Sequence, residues 1–315
     1  MKALLLVIAC VALLLAAVFI GPRLSGAQGE FIVWQLRVPR VLVGALVGGT
    51  LGLVGAVFQA LFQNPLATSD TVGTTAGATV GALFALALDS SRTIQGLPLV
   101  TVCAFSGALG ASLLVASFAS SRRAHSSDVL LAGIAVTLAT SAIASGIQYI
   151  SDSRALFAAT QWSLGQLPQV GYRGVLLLAP ICALACALLL LLTRPLQAFA
   201  LGEELAHSQG VNVTRLRLLA LALGSLGVAA CVAWCGPIAF VGLIVPHLVR
   251  RLLGSSYRVL LPMSLCVGGA LLVTCDLFAR LIVPGRELPV GIVTAALGAP
   301  ALVLLVARGR PNSGV

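Results

Sequence analysis

The stretch VLVGALVGGTLGLVGAVFQALF, Val41–Phe62, decides what kind of protein this chain is. It runs for 22 residues without a charged side chain, which is enough for an α-helix to cross the hydrocarbon core of a bilayer. Gly44, Gly48 and Gly52 recur in it at every fourth position. On a helix they form one stripe along which a second helix can approach closely. The stretch therefore predicts a membrane-spanning helix that packs tightly against a neighbour.

The composition extends this interpretation to the whole chain. Hydrophobic residues make up 59% of the sequence and charged residues 9%, whereas a soluble domain carries about 25% charged residues. The apolar runs are continuous rather than alternating, which excludes a transmembrane β-barrel. The predicted fold class is an all-α polytopic membrane protein, with residues 1–315 forming a single transmembrane domain.

Ten membrane spans are predicted along the chain. They lie at about 3–20, 41–62, 71–89, 97–119, 129–150, 174–193, 216–236, 240–253, 259–282 and 290–306. The first is interpreted as a retained helix, because its apolar run is longer than the core of a signal peptide. The eighth is short for a full span. A second glycine stripe, Gly73, Gly77 and Gly81, falls in the third span and again indicates close helix packing.

An even number of spans puts both termini on one side of the membrane. If that side is the cytoplasm, it holds 11 of the 19 Lys and Arg residues, and the outside holds 8. The positive-inside rule favours this orientation. The net charge of +10 does not indicate a nucleic-acid partner, because the basic residues lie singly or in pairs between apolar runs.

The sequence contains no constellation typical of an enzyme. Its three histidines lie in different segments, and Lys2 is its one lysine. A phosphate-binding loop needs a lysine after its glycines, so this chain cannot supply one. We expect no catalytic residue, no metal site and no bound cofactor, and any ATP chemistry must belong to a partner.

Two cysteine pairs could in principle hold a metal ion or form disulfides. Cys182 and Cys186, and likewise Cys231 and Cys235, are spaced so that each pair shares a helix face. Because buried free cysteine behaves as a small apolar residue, we expect these four side chains to serve packing.

Asp276 is the one acidic residue deep within an apolar run, and Arg280 follows it at i+4. The two can pair on one helix face. An acid within the membrane can also belong to a proton or ion relay. An ion-coupled secondary carrier therefore remains an alternative function, as does a structural or signalling membrane subunit.

The polar segment LGEELAHSQGVNV, Leu201–Val213, interrupts the apolar chain between spans six and seven. It contains two adjacent acids, Glu203 and Glu204, of only nine Asp and Glu residues in the protein. We predict a short cytoplasmic helix of about two turns, with Leu205 as its apolar contact. Such a helix suits docking into a cleft on a cytoplasmic partner, and a solvated loop is the alternative.

Five segments together resemble the iron–siderophore, haem and vitamin B12 permeases, the membrane subunits of type II ATP-binding-cassette importers. In chain order they are Gln35–Ala82, LLAGIAV (Leu130–Val136), ALGEELAHSQGVNVTRLR (Ala200–Arg217), GPIAFVGLIVPHLVRRLLG (Gly236–Gly254) and DLFARLIVPGRELPVGIVTAALGAP (Asp276–Pro300). The resemblance covers the chain from about Glu30 to its end.

The resemblance implies ten helices with both termini in the cytoplasm, in the inner membrane of a bacterium. It implies two permease subunits, identical or homologous, around a central pathway. The partners would be a cytoplasmic ATPase dimer, which binds ATP and Mg²⁺, and a periplasmic substrate-binding protein. The substrate implied first is a ferric siderophore, with vitamin B12 or haem as the alternatives.

The resemblance also assigns site residues to three regions. The ATPase coupling helix would include Leu201, Gly202, Glu203, Glu204, Ala206 and Gly210. The binding protein would dock on Arg37, Arg40 and Arg280. The cytoplasmic gate would comprise Asn64, Leu66, Ser126 and Ser127, although Asp128 stands where we expect a basic residue from the vitamin B12 permeases.

Overall fold

The computed structural model describes residues 2–21, 27–89, 92–94, 96–119, 126–169, 171–283 and 286–308. Its helices are α1 (Lys2–Phe19), α2 (Ala27–Phe31), α3 (Val38–Leu61), α4 (Thr74–Asp89), α5 (Leu99–Ala119), α6 (Ser126–Ile150), α7 (Ser153–Ser163), α8 (Arg173–Leu191), α9 (Thr193–Phe199), α10 (Glu203–Ser208), α11 (Val213–Cys235), α12 (Val241–Leu253), α13 (Tyr257–Leu281) and α14 (Val290–Arg308). A π-helical stretch, Ile32–Arg37, joins α2 to α3, and a 3₁₀ turn, Ser69–Val72, precedes α4. A short antiparallel hairpin, β1 (Thr93–Ile94) and β2 (Leu97–Pro98), precedes α5.

Each of the ten predicted spans coincides with one helix of the bundle, which confirms the all-α polytopic fold. Within the described residues, seven helices are long and apolar enough to cross a membrane, namely α1, the continuous helix of α2 and α3, α5, α6, α8, α11 and α13. Shorter apolar helices, α4 and α14, and the 13-residue α12 account for the other three. Two of the predicted spans, 71–89 and 97–119, begin a few residues before their helices. Ser69–Val72 is a 3₁₀ turn and Leu97–Pro98 is a strand.

Helix α3 forms the centre of the bundle and packs against α8, α11, α12 and α13. The glycine stripe is the reason that its neighbour can come so close. A Cβ placed on Gly48 would overlap the carbonyl oxygen of Gly268 on α13. A Cβ on Gly52 would lie 2.5 Å from the carbonyl oxygen of Ser264. The predicted stripe is thus the contact face between α3 and α13.

The second glycine stripe is shorter than predicted. Gly77 and Gly81 lie where α4 crosses α5, and a Cβ on either residue would overlap backbone of α5. Gly73 does not belong to this stripe. It has a φ of +76°, a left-handed conformation that glycine adopts without strain, and it connects the 3₁₀ turn to α4.

Candidate functional site

The predicted site residues fall at two opposite ends of the bundle, and α3 connects the two ends. Arg40, near the start of α3, bonds to Asp276 of α13. Gln59, near its end, accepts a hydrogen bond from Arg250 of α12 at 2.5 Å. Gln59 follows Arg40 by 19 residues, which separates the two ends by about 28 Å at the helical rise per residue. This distance matches the thickness of a bilayer core.

The three predicted docking arginines line a single cavity, which we call the arginine cavity. Its volume is about 420 Å³. Arg37 and Arg40 reach it from the start of α3, and Arg280 reaches it from the end of α13. Arg286 and Glu287, on the segment before α14, complete its charged lining. Sequence reasoning did not single out Arg286 or Glu287, although both lie in the last of the five quoted segments.

Arg40 is a buried residue that is already paired within the chain. Its side chain is 6% exposed. Its Nε and Nη2 donate to both carboxylate oxygens of Asp276 at 2.8–3.1 Å, and its Nη1 donates to Oε2 of Glu287 at 2.7 Å. A buried ion pair is stable when hydrogen bonds satisfy its charges in this way.

Asp276 also pairs with Arg280, as the i+4 spacing predicted. Nε of Arg280 lies 3.2 Å from Oδ2 of Asp276. The sequence did not predict the stronger partner, Arg40, which is 236 positions away. Asp276 is thus shared by two guanidinium groups.

The arginine cavity carries an excess of positive charge. Four arginines, counting Arg286, surround it, against the carboxylates of Asp276 and Glu287. Arg286 is exposed and Arg37 is partly exposed, so both can reach a molecule outside the bundle. A surface of this charge favours an acidic partner and steers its approach.

At the opposite end, the predicted coupling segment forms the short helix α10. Gly202, with a φ of +124°, precedes it, and Gly210, with a φ of +79°, follows it. Both conformations suit glycine. Ala206 is fully buried and attaches α10 to the bundle. We expected Leu205 to make this contact, but its side chain points away from the bundle and is 52% exposed.

Further apolar and acidic side chains of this segment also face outward. Leu201 is 63% exposed, and Glu204 is exposed as well. Together with Leu205 they form what we call the α10 surface. Glu203 turns the other way and pairs with Arg217 of α11. Arg217 was missed by sequence reasoning, although an arginine in the second turn of an apolar helix needs a partner when it is buried.

Two of the predicted gate residues share a cavity with the acids of α10. We call this the gate cavity. Its volume is about 690 Å³, and its lining consists of Phe62, Gln63, Asn64, Pro65, Ser127, Leu130, Glu203 and Glu204. The predicted gate and the predicted coupling segment are therefore adjacent.

The other two predicted gate residues, Leu66 and Ser126, are sequence neighbours of residues that line this cavity. The backbone N–H of Leu66 donates to Oδ1 of Asn64 at 2.9 Å, and Leu66 is 45% exposed. Ser126 is the first residue of α6.

The cysteine pairs meet between α8 and α11. The sulfur atoms of Cys182 and Cys231 are 3.9 Å apart, and all eight cysteines are free thiols. Cys182, Cys186, Cys231 and Cys235 are buried, as expected of packing residues. In the part of the chain that the structure describes, no group of three or more His, Cys, Asp or Glu side chains could hold a metal ion.

A sequence profile of the FecCD transport family matches residues 4–308. Several curated proteins are also similar over most of their length. The cobalamin import system permease protein BtuC of Halobacterium salinarum is 40% identical, over 88% of this chain and 73% of the relative. The hemin transport system permease protein HmuU of Yersinia pestis is 37% identical, over 88% and 84%. The Fe(3+) dicitrate transport system permease protein FecD of Escherichia coli is 35% identical, over 91% and 88%.

The fold is also that of a solved structure, an inward-facing ABC transporter of proposed metal-chelate type. The TM-score is 0.87 at 30% identity, and the match covers 96% of this chain and 98% of that one. All three relatives are named as transport permeases, which places the chain among permease subunits and not among enzymes. Since the profile, the relatives and the fold agree over nearly the whole chain, this protein belongs to the FecCD transport family of multi-span membrane permeases.

Proposed function

We propose that this chain is the permease subunit of a type II ATP-binding-cassette importer in the inner membrane of a bacterium. It moves a metal chelate from the periplasm to the cytoplasm, and both of its termini are cytoplasmic. The observation that carries the proposal is the contrast between the two ends of the bundle. A positively charged cavity lies at one end, and an outward-facing short helix beside a second cavity lies at the other.

The arginine cavity is the proposed docking place of a periplasmic binding protein. Acidic side chains of that protein would meet Arg37, Arg40 and Arg280. Arg40 is already bonded to Glu287, and an external carboxylate could replace this partner. Charges at the rim of the cavity, such as the partly exposed Arg37, set the orientation and rate of docking more than the final affinity.

The α10 surface is the proposed contact with the cytoplasmic ATPase dimer. The coupling residues are Leu201, Gly202, Glu203, Glu204, Ala206 and Gly210. In this proposal ATP and Mg²⁺ are bound by the ATPase, and this chain itself binds no cofactor. ATP binding and hydrolysis move α10, and the gate at Asn64, Leu66, Ser126 and Ser127 opens or closes in response. Because gate residues and acids of α10 line the same cavity, movement of α10 can act directly on the gate.

Transport requires a second permease subunit, identical or homologous, so that a pathway forms between the two. The cargo is a metal ion enclosed in an organic ligand, the chemistry common to the names of the three relatives. A ferric siderophore is the first candidate. Cobalamin is the second, because the 40%-identical relative is named for it, and haem is the third.

An ion-coupled secondary carrier fits the site less well. A relay acid must gain and lose a proton during the cycle. Asp276 is buried, accepts hydrogen bonds from Arg40 and pairs with Arg280, so both of its carboxylate oxygens are already engaged in an internal ion-pair network.

Uptake measurements in a strain without this gene test the function and the cargo together. Iron-55 would be supplied as several siderophore chelates and as ferric citrate, alongside labelled haem and labelled cobalamin. We expect loss of ferric chelate uptake, restored by the intact gene. Loss for cobalamin or haem alone would keep the importer and change its cargo. Uptake that survives removal of the ATPase but stops when the proton gradient collapses would contradict the importer.

A second experiment tests the ATPase contact. Leu205→Asp adds a charge to an exposed apolar residue of α10, so the fold should be retained. We expect the affinity of the purified permease for its ATPase to fall at least tenfold. The control is Leu156→Asp on α7, a leucine that is 43% exposed and lies on a short helix outside the seven long spans. If Leu205→Asp has no more effect than this control, α10 is not the contact.

A further inference from the structure

We propose that the two adjacent acids of α10 have different tasks. Glu203 and Arg217 form an internal strut that transmits movement of α10 to the spanning helix α11, whereas Glu204 belongs to the α10 surface that meets the ATPase. Arg217 is then a positioning residue for energy coupling. This inference rests on the coupling function proposed above for α10.

The geometry of the strut joins three helices at one guanidinium group. Nη2 of Arg217 donates to Oε1 of Glu203. The Arg217 side chain is 5% exposed and that of Glu203 is 30% exposed. The guanidinium carbon also lies 5.8 Å from the ring centre of Phe199, the fully buried last residue of α9. Arg217 therefore connects α9, α10 and α11.

The chemistry of this contact suits the transmission of force. A guanidinium is planar and always charged, and it can stack on an aromatic face while it holds a carboxylate. Such a pair is stronger away from water than at an exposed surface. Helix α10 has only six residues, of which Ala206 is the buried one. A charged contact to α11 is thus a large part of what fixes its orientation.

The far side of the strut is connected to both the core and the gate. Arg217 lies in the second turn of α11, which continues through the bundle against α3, α5 and α8. Glu203 and Glu204 both line the gate cavity with Asn64 and Ser127, but Glu203 is the one that pairs with Arg217. In addition, the side-chain amide of Gln63 donates to the carbonyl oxygen of Phe199 at 3.3 Å. A displacement of α10 would therefore act on α11 and on the gate cavity at once.

Glu204 is the matched control within the same helix. It has the same side chain one position later, but it is exposed. Replacing either glutamate with glutamine keeps the size and removes the charge. The two substitutions should therefore separate the strut from the ATPase contact.

The first test uses the permease alone in lipid nanodiscs and follows hydrogen exchange at the amides of residues 205–210. We expect exchange at least tenfold faster in Glu203→Gln and in Arg217→Gln, with no further increase in the double variant, and wild-type exchange in Glu204→Gln. Equal exchange in Glu203→Gln and Glu204→Gln would overturn the strut.

The second test uses the complex with the purified ATPase in proteoliposomes. We expect Glu203→Gln and Arg217→Gln to keep their ATPase affinity within twofold but to lose at least tenfold in substrate carried per ATP hydrolysed. Arg217→Lys keeps the charge, so it should carry at least three times as much substrate per ATP hydrolysed as Arg217→Gln. Glu204→Gln should instead weaken ATPase affinity at least threefold.

The outcomes distinguish the inference from the function on which it rests. Normal transport per ATP in Glu203→Gln, with Leu205→Asp still blocking ATPase binding, would overturn the transmission role while α10 remained the contact. If Leu205→Asp also left ATPase binding unchanged, the proposed coupling function itself would be wrong.

Discussion

At the scale of single residues, Asp276 is the carboxylate that pairs with two arginines at once. It holds Arg40 through three hydrogen bonds and lies 3.2 Å from Nε of Arg280. The Asp276 side chain is 2% exposed and that of Arg40 is 6% exposed. Removing the carboxylate would take the counter-charge shared by the buried Arg40 and the partly buried Arg280 away from both.

Asp276→Ala should therefore lower the free energy of unfolding by about 3–5 kcal/mol, the usual effect of breaking a buried ion pair. The matched control is Asp152→Ala. The side chain of Asp152 is exposed and accepts a hydrogen bond from the N–H of Ala155 at the start of α7, and loss of such a cap costs about 1 kcal/mol. Unfolding of both purified variants in detergent would be compared with the wild type. Equal destabilisation would contradict the central role of Asp276.

The sequence could reveal only the local part of this network. Arg280 follows Asp276 by one helical turn, so spacing alone predicts their pairing. No such rule connects Asp276 to Arg40, because the two belong to helices that meet only in the folded bundle. The same reason hid the pair of Glu203 and Arg217, which comes from different helices although the residues are 14 positions apart.

At the scale of helices, packing is controlled by where glycine allows two backbones to touch. Gly52 faces α13, and an added Cβ would lie 2.5 Å from the carbonyl oxygen of Ser264. Gly110 on α5 has no atom within 4 Å of the same added Cβ. The two positions carry the same residue in spans of the same bundle but have opposite surroundings.

Gly52→Ala should destabilise the fold by about 1–3 kcal/mol, because the methyl group overpacks a tight contact. Gly110→Ala should be neutral or should stabilise the protein by up to about 1 kcal/mol, because alanine favours the helix. The measurement is the unfolding midpoint of each variant in the same detergent. If Gly110→Ala were the more harmful substitution, the contact of α3 with α13 would not be limiting for stability.

The sequence predicts which segments are membrane helices better than it predicts short helices and the conformation of single turn residues. All ten apolar runs are helices, because length and composition suffice to identify a span. Helices α7 and α9 were not predicted, since neither has a separate apolar run of that length. Gly73 was assigned to a packing stripe because its spacing fits, whereas its positive φ depends on the turn before α4.

At the scale of the whole molecule, the outer faces of the bundle differ in chemistry. Helix α1 exposes large apolar side chains, among them Leu4, Leu15 and Phe19, each at least 60% exposed. The second half of α6 exposes Ser145 and Gly146 as well as apolar residues. Large apolar side chains suit lipid, whereas small and hydroxyl residues are enriched where membrane helices meet each other. The sequence could not reveal this contrast, because both helices are simply apolar runs until the bundle shows which side is left uncovered.

We therefore expect α6, and not α1, to face the second permease subunit or the pathway between the two. A benzophenone amino acid introduced at Ser145, and separately at Leu15, would test this in native membranes under ultraviolet light. The Ser145 variant should form a product of about twice the 32.1 kDa of one chain, whether the neighbour is identical or homologous, and mass spectrometry would distinguish these two cases. The Leu15 variant should react with lipid and stay at the mass of one chain. Because two symmetry-related subunits present the same helix to their common axis, a product at Leu15 alone would place α1 at the subunit contact and move the pathway to the opposite side of the bundle.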